Sequence, residues 1–277
     1  MDIALVQLSS PDNETQAQRI ERAEALLLEQ RGVDLIVLPE LWSAGYFHFS
    51  QYPELSETVE GPTVAMCAAV AKELQSYVHV GSIVERLANE AGTAEGGAQG
   101  AAPVLRNTSV LVDPQGNVAH RYSKLHVFGY KSLEAELLTP GDSLAVAGTP
   151  FGQIAGTTCY DLRFPGLWSE LSVRGAEIVV VPAAWPAARR EHWRLLTSAR
   201  AVEHQVFVLA CNAAGVQEGV ELGGTSRVVD PAGRLLAEAG DGEEVLRVGI
   251  DPAAVQATRS EFPVIADRLA DYSGLAR

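Results

Sequence analysis

Apolar residues in this chain fall into short, nearly unbroken runs, separated by stretches in which they recur every three or four positions. Residues 3–8 and 34–38 are runs of the first kind. Residues 13–30 between them set Ile20, Ala23, Leu27 and Leu28 at helical spacing, so the chain opens as a β-α-β unit. The same pattern predicts helices over 62–76, 166–174 and 191–203, and strands over 78–86, 107–112, 153–158, 177–181 and 206–210. Strands alternating with helices put the fold in the α/β class or a mixed α+β variant of it.

The chain also resembles itself. Residues 31–42 read RGVDLIVLPELW and residues 174–185 read RGAEIVVVPAAW; residues 108–116 read TSVLVDPQG and residues 225–233 read TSRVVDPAG. Each pair supplies a nearly all-apolar strand, expected to be buried on both faces, and later a strand that closes in an Asp-Pro-x-Gly turn. Two related halves folded around one core are expected, and 1–277 is read as a single domain. Residues 88–102, mostly Ala and Gly, read as a flexible hairpin loop. The residues after 263, with Leu269, Tyr272 and Leu275, read as a tail packed on the surface or on a second subunit.

Composition narrows the class of function. A chain of 277 residues with 47% hydrophobic and 20% charged residues is folded rather than disordered. Its net charge of −14 repels phosphate backbones and anionic bilayers, which excludes nucleic acid as an expected partner. The three cysteines, Cys67, Cys159 and Cys211, form no CxxC pair, so neither a disulfide framework nor a thiolate metal site is expected, and a reducing cytoplasm fits. With no basic leader and no apolar run of about 18 residues, neither secretion nor membrane insertion is expected.

Three places join a reactive group to the abrupt end of a strand or hairpin. In LIVLPELW a proline closes the strand and Glu40 follows, at the strand edge where α/β folds gather function. In RYSKLHVFGY, Lys124 and His126 alternate with Tyr122, Leu125 and Phe128 just after a hairpin. In QIAGTTCYDLRFPGLW a strand of small residues runs into Cys159 and a helix begins near Pro165, a strand-to-helix turn of the nucleophile-elbow type. Gly156, Thr157 and Thr158 are read as leaving room for a substrate, and the N–H groups around Tyr160 as facing an oxyanion. Cys67, mid-helix, and Cys211, at the end of VFVLAC, read as core residues. A thiol with an ordinary pKa near 8.5 needs a base or a cation beside it to act as a nucleophile, and Glu40 and Lys124 are suitable complements. A thiol hydrolase of the Cys-His kind would draw on His79, His120, His126, His192 or His204, none of which has a distinctive setting.

These segments, in this order, resemble the nitrilase superfamily, the carbon–nitrogen hydrolases, and the likeness runs over essentially the whole chain. The family's glutamate motif is similar to LPELW, its lysine motif to RYSKLHVF and its cysteine motif to GTTCYDLRFP. The resemblance implies a Glu-Lys-Cys triad of Glu40, Lys124 and Cys159. It also implies a second glutamate before a Pro-Gly turn: Glu134, six positions before Pro140-Gly141, with Glu136 as a close alternative. It implies a four-layer α-β-β-α sandwich with internal pseudo-twofold symmetry, and a homodimer or higher homo-oligomer in which the apolar residues of Pro165–Val173 are a candidate contact; no step of the chemistry calls for a metal or organic cofactor. The activity it implies is that of an omega-amidase-like enzyme that releases ammonia from a small amide, in particular a dicarboxylate monoamide, through a thioester. In that scheme Glu40 moves protons, Lys124 and the Tyr160 N–H hold the oxyanion, and Glu134 orients Lys124 or the substrate. Tyr160, Arg163 and Trp185 are the expected substrate contacts, with Arg189, Arg190 and Arg194 as further cations. The 88–102 segment looks longer than the usual hairpin, and Trp185-Pro186 departs from many omega-amidase-type relatives, so N-carbamoyl hydrolysis, nitrile hydrolysis and a non-catalytic binding role remain alternatives.

Overall fold

A computed structural model describes residues 1–87 and 103–269. The proposed hairpin loop at 88–102, and Tyr272 and Leu275 of the tail, lie outside the described residues. In chain order the strands are β1 (Asp2–Gln7), β2 (Leu35–Val37), β3 (Tyr77–Arg86), β4 (Leu105–Val112), β5 (Val118–Ser123), β6 (Ala147–Thr149), β7 (Gly152–Gly156), β8 (Ile178–Ala183), β9 (Phe207–Asn212), β10 (Val216–Gln217), β11 (Val220–Glu221), β12 (Arg227–Val229), β13 (Leu235–Glu238) and β14 (Glu244–Gly249). The α-helices are α1 (Gln16–Leu28), α2 (Tyr52–Leu55), α3 (Pro62–Leu74), α4 (Glu134–Leu137), α5 (Pro165–Val173), α6 (Arg190–His204) and α7 (Ala254–Glu261).

Two six-stranded sheets form, in the orders β14-β1-β2-β3-β4-β5 and β13-β12-β9-β8-β7-β6. In the first, β1, β2 and β3 run parallel and β4, β5 and β14 are antiparallel additions; in the second, β7, β8 and β9 run parallel and β12, β13 and β6 are added in the same way. Reading the second sheet backwards therefore reproduces the first. The two repeats seen in the sequence fall on β2 and β8 and on β4 and β12, the equivalent positions of this pseudo-twofold.

Side-chain alternation explains the layers. Ile3, Leu5, Leu35 and Val37 point towards Ile154, Ile178, Val180, Phe207 and Leu209, so one face of each sheet is buried against the other. The intervening residues Ala4, Val6, Ile36, Val78 and Val80 pack outward under α1 and α3. Val179, Val181, Val208 and Ala210 pack outward under α5 and α6. The result is helix, sheet, sheet, helix, as the resemblance implied. Each fully buried Leu, Ile, Val or Phe in these layers contributes about 1.5–3 kcal/mol.

α1 starts at Gln16 rather than at residue 13 because Thr15 caps it, its side chain accepting from the Gln18 N–H while the Gln18 side chain accepts from the Thr15 N–H. On α5 the apolar residues Leu167, Trp168 and Leu171 are buried within the chain, and Val173 remains exposed. The described part of the tail touches α5 through Arg268, whose Nη1 donates to the Ser169 carbonyl at 3.2 Å. No helix among the described residues is long and apolar enough to cross a membrane.

Candidate active site

Glu40 is placed by the end of β2. The Leu38 N–H donates to the His79 carbonyl at 3.0 Å, and the Leu41 N–H to the Ser82 hydroxyl at 3.1 Å, so the turn is tied down on both sides of the carboxylate. β3 carries an irregularity between His79 and Ser82. Gly81 sits there at φ +75°, where a Cβ would overlap the Pro39 carbonyl, so only glycine lets β3 come this close to the Glu40 turn. Glu40 itself is 1% exposed.

Lys124 follows β5, and its N–H donates to the Asn107 carbonyl on β4 at 2.8 Å. The ammonium is fully buried and lies 2.8 Å from Glu40 Oε1 and 2.8 Å from Glu134 Oε1. Glu134, on α4, is held by four groups in all, because its carboxylate also accepts from the Tyr46 hydroxyl at 2.7 Å, the Phe128 N–H at 3.1 Å and the Asn107 amide at 3.3 Å. Glu136, two residues on, is exposed. Gly141 closes the far side: its N–H donates to the Lys124 carbonyl at 2.9 Å, and a Cβ there would overlap the Ser123 carbonyl.

Burial alone would lower the Lys124 pKa, but the Glu134 and Glu40 carboxylates outweigh it and raise it. Burial pushes the Glu40 pKa up, Lys124 pulls it down, and Glu134 pushes it up again, leaving a net rise. One ammonium thus serves two buried acids, and Glu40 is the one held less tightly.

Cys159 stands where β7 ends. Its φ is +45°, the left-handed region that L side chains rarely adopt, and a short 3-10 turn, Cys159–Arg163, leads into α5. The turn is braced by Asp161, which accepts from the Thr158 N–H at 3.0 Å, the Tyr122 hydroxyl at 2.7 Å and the His126 ring at 2.8 Å. Asp161 therefore ties the cysteine turn to both flanks of Lys124. Burial and the Glu40 charge hold the thiol pKa well above its ordinary value, against a smaller opposing pull from Lys124, so the resting group is the neutral thiol. The Tyr160 N–H, in the first turn, makes no hydrogen bond among the described residues.

The thiol opens on a cavity of about 270 Å³ lined by Tyr46, Phe128, Tyr160, Arg163, Trp185 and Arg189, among others. The Arg163 guanidinium lies 4.7 Å from the centre of the Trp185 ring, and the Arg189 guanidinium 5.6 Å from that of Phe128. Lys131 completes a lining with three cations, and no carboxylate lines the cavity among the described residues. Arg190 and Arg194, which the sequence offered equally, are directed elsewhere, to Asp241 at 3.2 Å and to Glu238 at 2.7 Å. No histidine lines the cavity among the described residues, and His126 is engaged by Asp161, which leaves a Cys-His arrangement without support.

A sequence model described as carbon-nitrogen hydrolase matches residues 2–260. A 2-oxoglutaramate amidase of Paenarthrobacter nicotinovorans is 38% identical over 98% of this chain and 90% of its own. The chain belongs to the carbon–nitrogen hydrolase family. An omega-amidase of Saccharomyces cerevisiae is 32% identical, over 97% of this chain and 93% of its own. Among solved structures, Saccharomyces cerevisiae Nit3, a member of branch 10 of the nitrilase superfamily, is similar with a TM-score of 0.83 and 29% identity, covering 99% of this chain and 97% of that one. A carbon–nitrogen hydrolase superfamily protein of Xanthomonas campestris, with an arsenic adduct in its active site, gives 0.85 and 28%, covering 99% of both.

In this carbon–nitrogen hydrolase the sequence-selected residues Glu40, Lys124, Cys159 and Glu134 meet in one buried cluster, and Tyr160, Arg163 and Trp185 line the cavity beside it. The small residues before the cysteine do something other than expected. Gly156, Thr157 and Thr158 are buried away from the cavity, where the Thr158 and Ser109 hydroxyls lie 3.0 Å apart across the two sheets. Room beside the thiol is left instead by Ala184, Pro186 and Ala188. Sequence reasoning missed Tyr46, Asn107, Asp161 and Lys131. Asp161 lay inside the quoted cysteine motif and Asn107 immediately before the repeated TSVLVDPQG, so position relative to a motif was the available signal.

Proposed function

We propose that this amidohydrolase releases ammonia from small dicarboxylate monoamides through a thioester on Cys159, with Glu40, Lys124 and Glu134 completing the catalytic group. One observation supports this above the rest: a thiol on a strained turn faces a buried Glu-Lys-Glu cluster, at the foot of a cavity bearing Arg163, Arg189 and Lys131 but no acid among its described lining residues. The amide end meets the thiol and the distal carboxylate meets the cations, on the faces of Trp185 and Phe128. The names of the Paenarthrobacter and Saccharomyces relatives agree with that substrate class. Arsenic binds thiols strongly, so the adduct in the Xanthomonas relative agrees with a reactive cysteine.

In the first half-reaction Sγ bonds to the carbonyl carbon as its proton passes to Glu40, and the carbonyl electron pair moves onto oxygen, where Lys124 and the Tyr160 N–H hold the charge. The carbon–nitrogen bond then breaks, and the Glu40 proton leaves with the nitrogen as ammonia. In the second half-reaction Glu40 takes a proton from water, hydroxide replaces sulfur on the acyl carbon, and the proton returns to Sγ. Glu134, whose carboxylate also accepts from Tyr46, Phe128 and Asn107, holds Lys124 in place.

Rapid-quench mass spectrometry with succinamate tests the scheme: an acyl adduct on the Cys159 peptide is expected, and its absence during turnover overturns it. Arg163→Ala and Arg189→Ala should each raise KM for succinamate about 10- to 100-fold, the worth of a hydrogen bond to a charged group, while leaving the weak turnover of an uncharged aliphatic amide unchanged. Steady-state ammonia release with the two substrates separates these outcomes.

The pH profile follows from Glu40. Burial raises its pKa, so kcat/KM should fall as pH drops through a value above the usual carboxylate range near 4.3, because the protonated acid cannot take the thiol proton. An acid limb at or below about 4 would contradict this. We further propose a single domain over 1–277 and a cytoplasmic homodimer, supported by the shared inter-sheet core and by the exposed apolar residues Val173, Leu195 and Val202 of α5 and α6.

A further inference from the structure

Asn107 is 1% exposed on β4, and its amide stands between the two acids that share Lys124. Its Nδ2 donates to Glu40 Oε1 at 2.9 Å and to Glu134 Oε1 at 3.3 Å. The reversed amide would set Oδ1 against two carboxylate oxygens, so the charges fix which way it points.

Each carboxylate oxygen has two acceptor positions. On Glu134, Oε1 takes Lys124 and Asn107, and Oε2 takes the Tyr46 hydroxyl, the Phe128 N–H and Lys124. That carboxylate is full. On Glu40, Oε1 takes Lys124 at 2.8 Å and Asn107 at 2.9 Å, whereas Oε2 takes, among the described residues, only the Ala184 N–H at 2.9 Å. Among the described residues the cluster therefore has one open acceptor position, on Glu40 Oε2.

We propose that Asn107 is a positioning residue that, by filling Oε1 together with Lys124, makes Oε2 of Glu40 the atom that receives the Cys159 proton. This deepens the amidase reading and rests on it. The proton on Sγ moves to Oε2 as sulfur bonds to carbon, and moves from Oε2 to nitrogen as the carbon–nitrogen bond breaks, so the carboxylate ends as it began. Without Asn107 the Oε1 lone pair is open, the carboxylate can turn about its Cγ–Cδ bond, and the acid is less well held in its charged form.

The groups facing Glu40 are Lys124 beyond β5, Glu134 on α4, Cys159 beyond β7, and Tyr46 and Tyr52 from the segment after β2. None of them changes in the test. Asn107→Ala and the isosteric Asn107→Asp are compared with the full-length wild type for succinamate turnover across pH. Losing a positioned donor should lower kcat about 100-fold with KM within about threefold. The acid limb should move up by about one pH unit, because removing a hydrogen bond to the charged form raises its pKa. N107D, which adds a negative charge, should move the limb further, and reads the same shift if thermal melts show N107A unfolded. An acid limb unmoved in the folded variants, or a loss confined to KM, overturns the role given to Asn107. Absence of the Cys159 acyl adduct in the wild type overturns the amidase reading instead, whatever the variants do.

Discussion

Cys159→Ala is expected to abolish ammonia release, by at least about 10⁴-fold, while the protein melts within a few degrees of the wild type. The magnitude follows from the non-additivity of a catalytic unit, in which losing the nucleophile costs about as much as losing its partners with it. The fold should survive because the thiol is uncharged at rest and the turn is held by Asp161 through Thr158, Tyr122 and His126, none of which involves Sγ. Cys67 and Cys211 cannot substitute. Both are 0% exposed against 8% for Cys159, one within α3 beneath the first sheet and one between the sheets. Alkylation with iodoacetamide should therefore label Cys159 alone and remove activity in step. Residual turnover in the alanine variant at a tenth of the wild-type rate would rule out the thioester route.

Lys124→Met should have the largest effect on stability. It leaves Glu40 and Glu134, both fully buried, with no ammonium at 2.8 Å from either. Removing one partner of a buried ion pair costs about 3–5 kcal/mol, because the remaining charge has neither water nor a counter-ion. Glu40, whose pKa burial already raises, responds by holding a proton, so its pKa in the folded variant stands above that in the unfolded chain. The folded state then binds more protons, and stability falls as pH rises. Urea melts of Lys124→Met should be closest to the wild type near pH 5 and furthest from it near pH 8. Adding Glu134→Gln, which removes one of the two unpaired charges, should recover part of the loss without restoring activity. A melt at pH 8 equal to that of the wild type would mean that the ammonium does not stabilise the cluster.

How much of this was readable beforehand depended on whether a residue's role is local. Glu40 and Cys159 declare themselves because each ends a buried apolar strand, and Lys124 because it recurs with them in a family-like order. Glu134 and Glu136 look alike as sequence, and only folding buries the first and exposes the second. The same holds for the four arginines. Arg163 and Arg189 reach the cavity, while Arg190 and Arg194 meet carboxylates supplied near the end of the second half. Tyr46 carries no local mark, and Asn107 only its place beside a repeated segment, since their partners lie 88 and 67 positions away. Among the elements, β14 was missed because it is a half-exposed edge strand with Glu244 and Arg247 interleaved among its apolar residues, and β6 because three residues give no period to read. β2 and β8, buried on both faces, were plain for the opposite reason.

The pseudo-twofold has a consequence for how the cluster is assembled. Aligning the two repeats sets Glu40 against Ala183 and Trp42 against Trp185, so of two equivalent strand ends one carries the acid and the other, through Ala184 and Trp185, becomes a wall of the cavity. The first half brings Glu40, Lys124 and Asn107, and the second brings Cys159 and the N–H of Ala184 that steadies Glu40. Neither half holds a complete set. Sliding one sheet over the other by a single residue, about 3.3 Å, would part sulfur from carboxylate, so turnover acts as a gauge of how accurately the two sheets have docked.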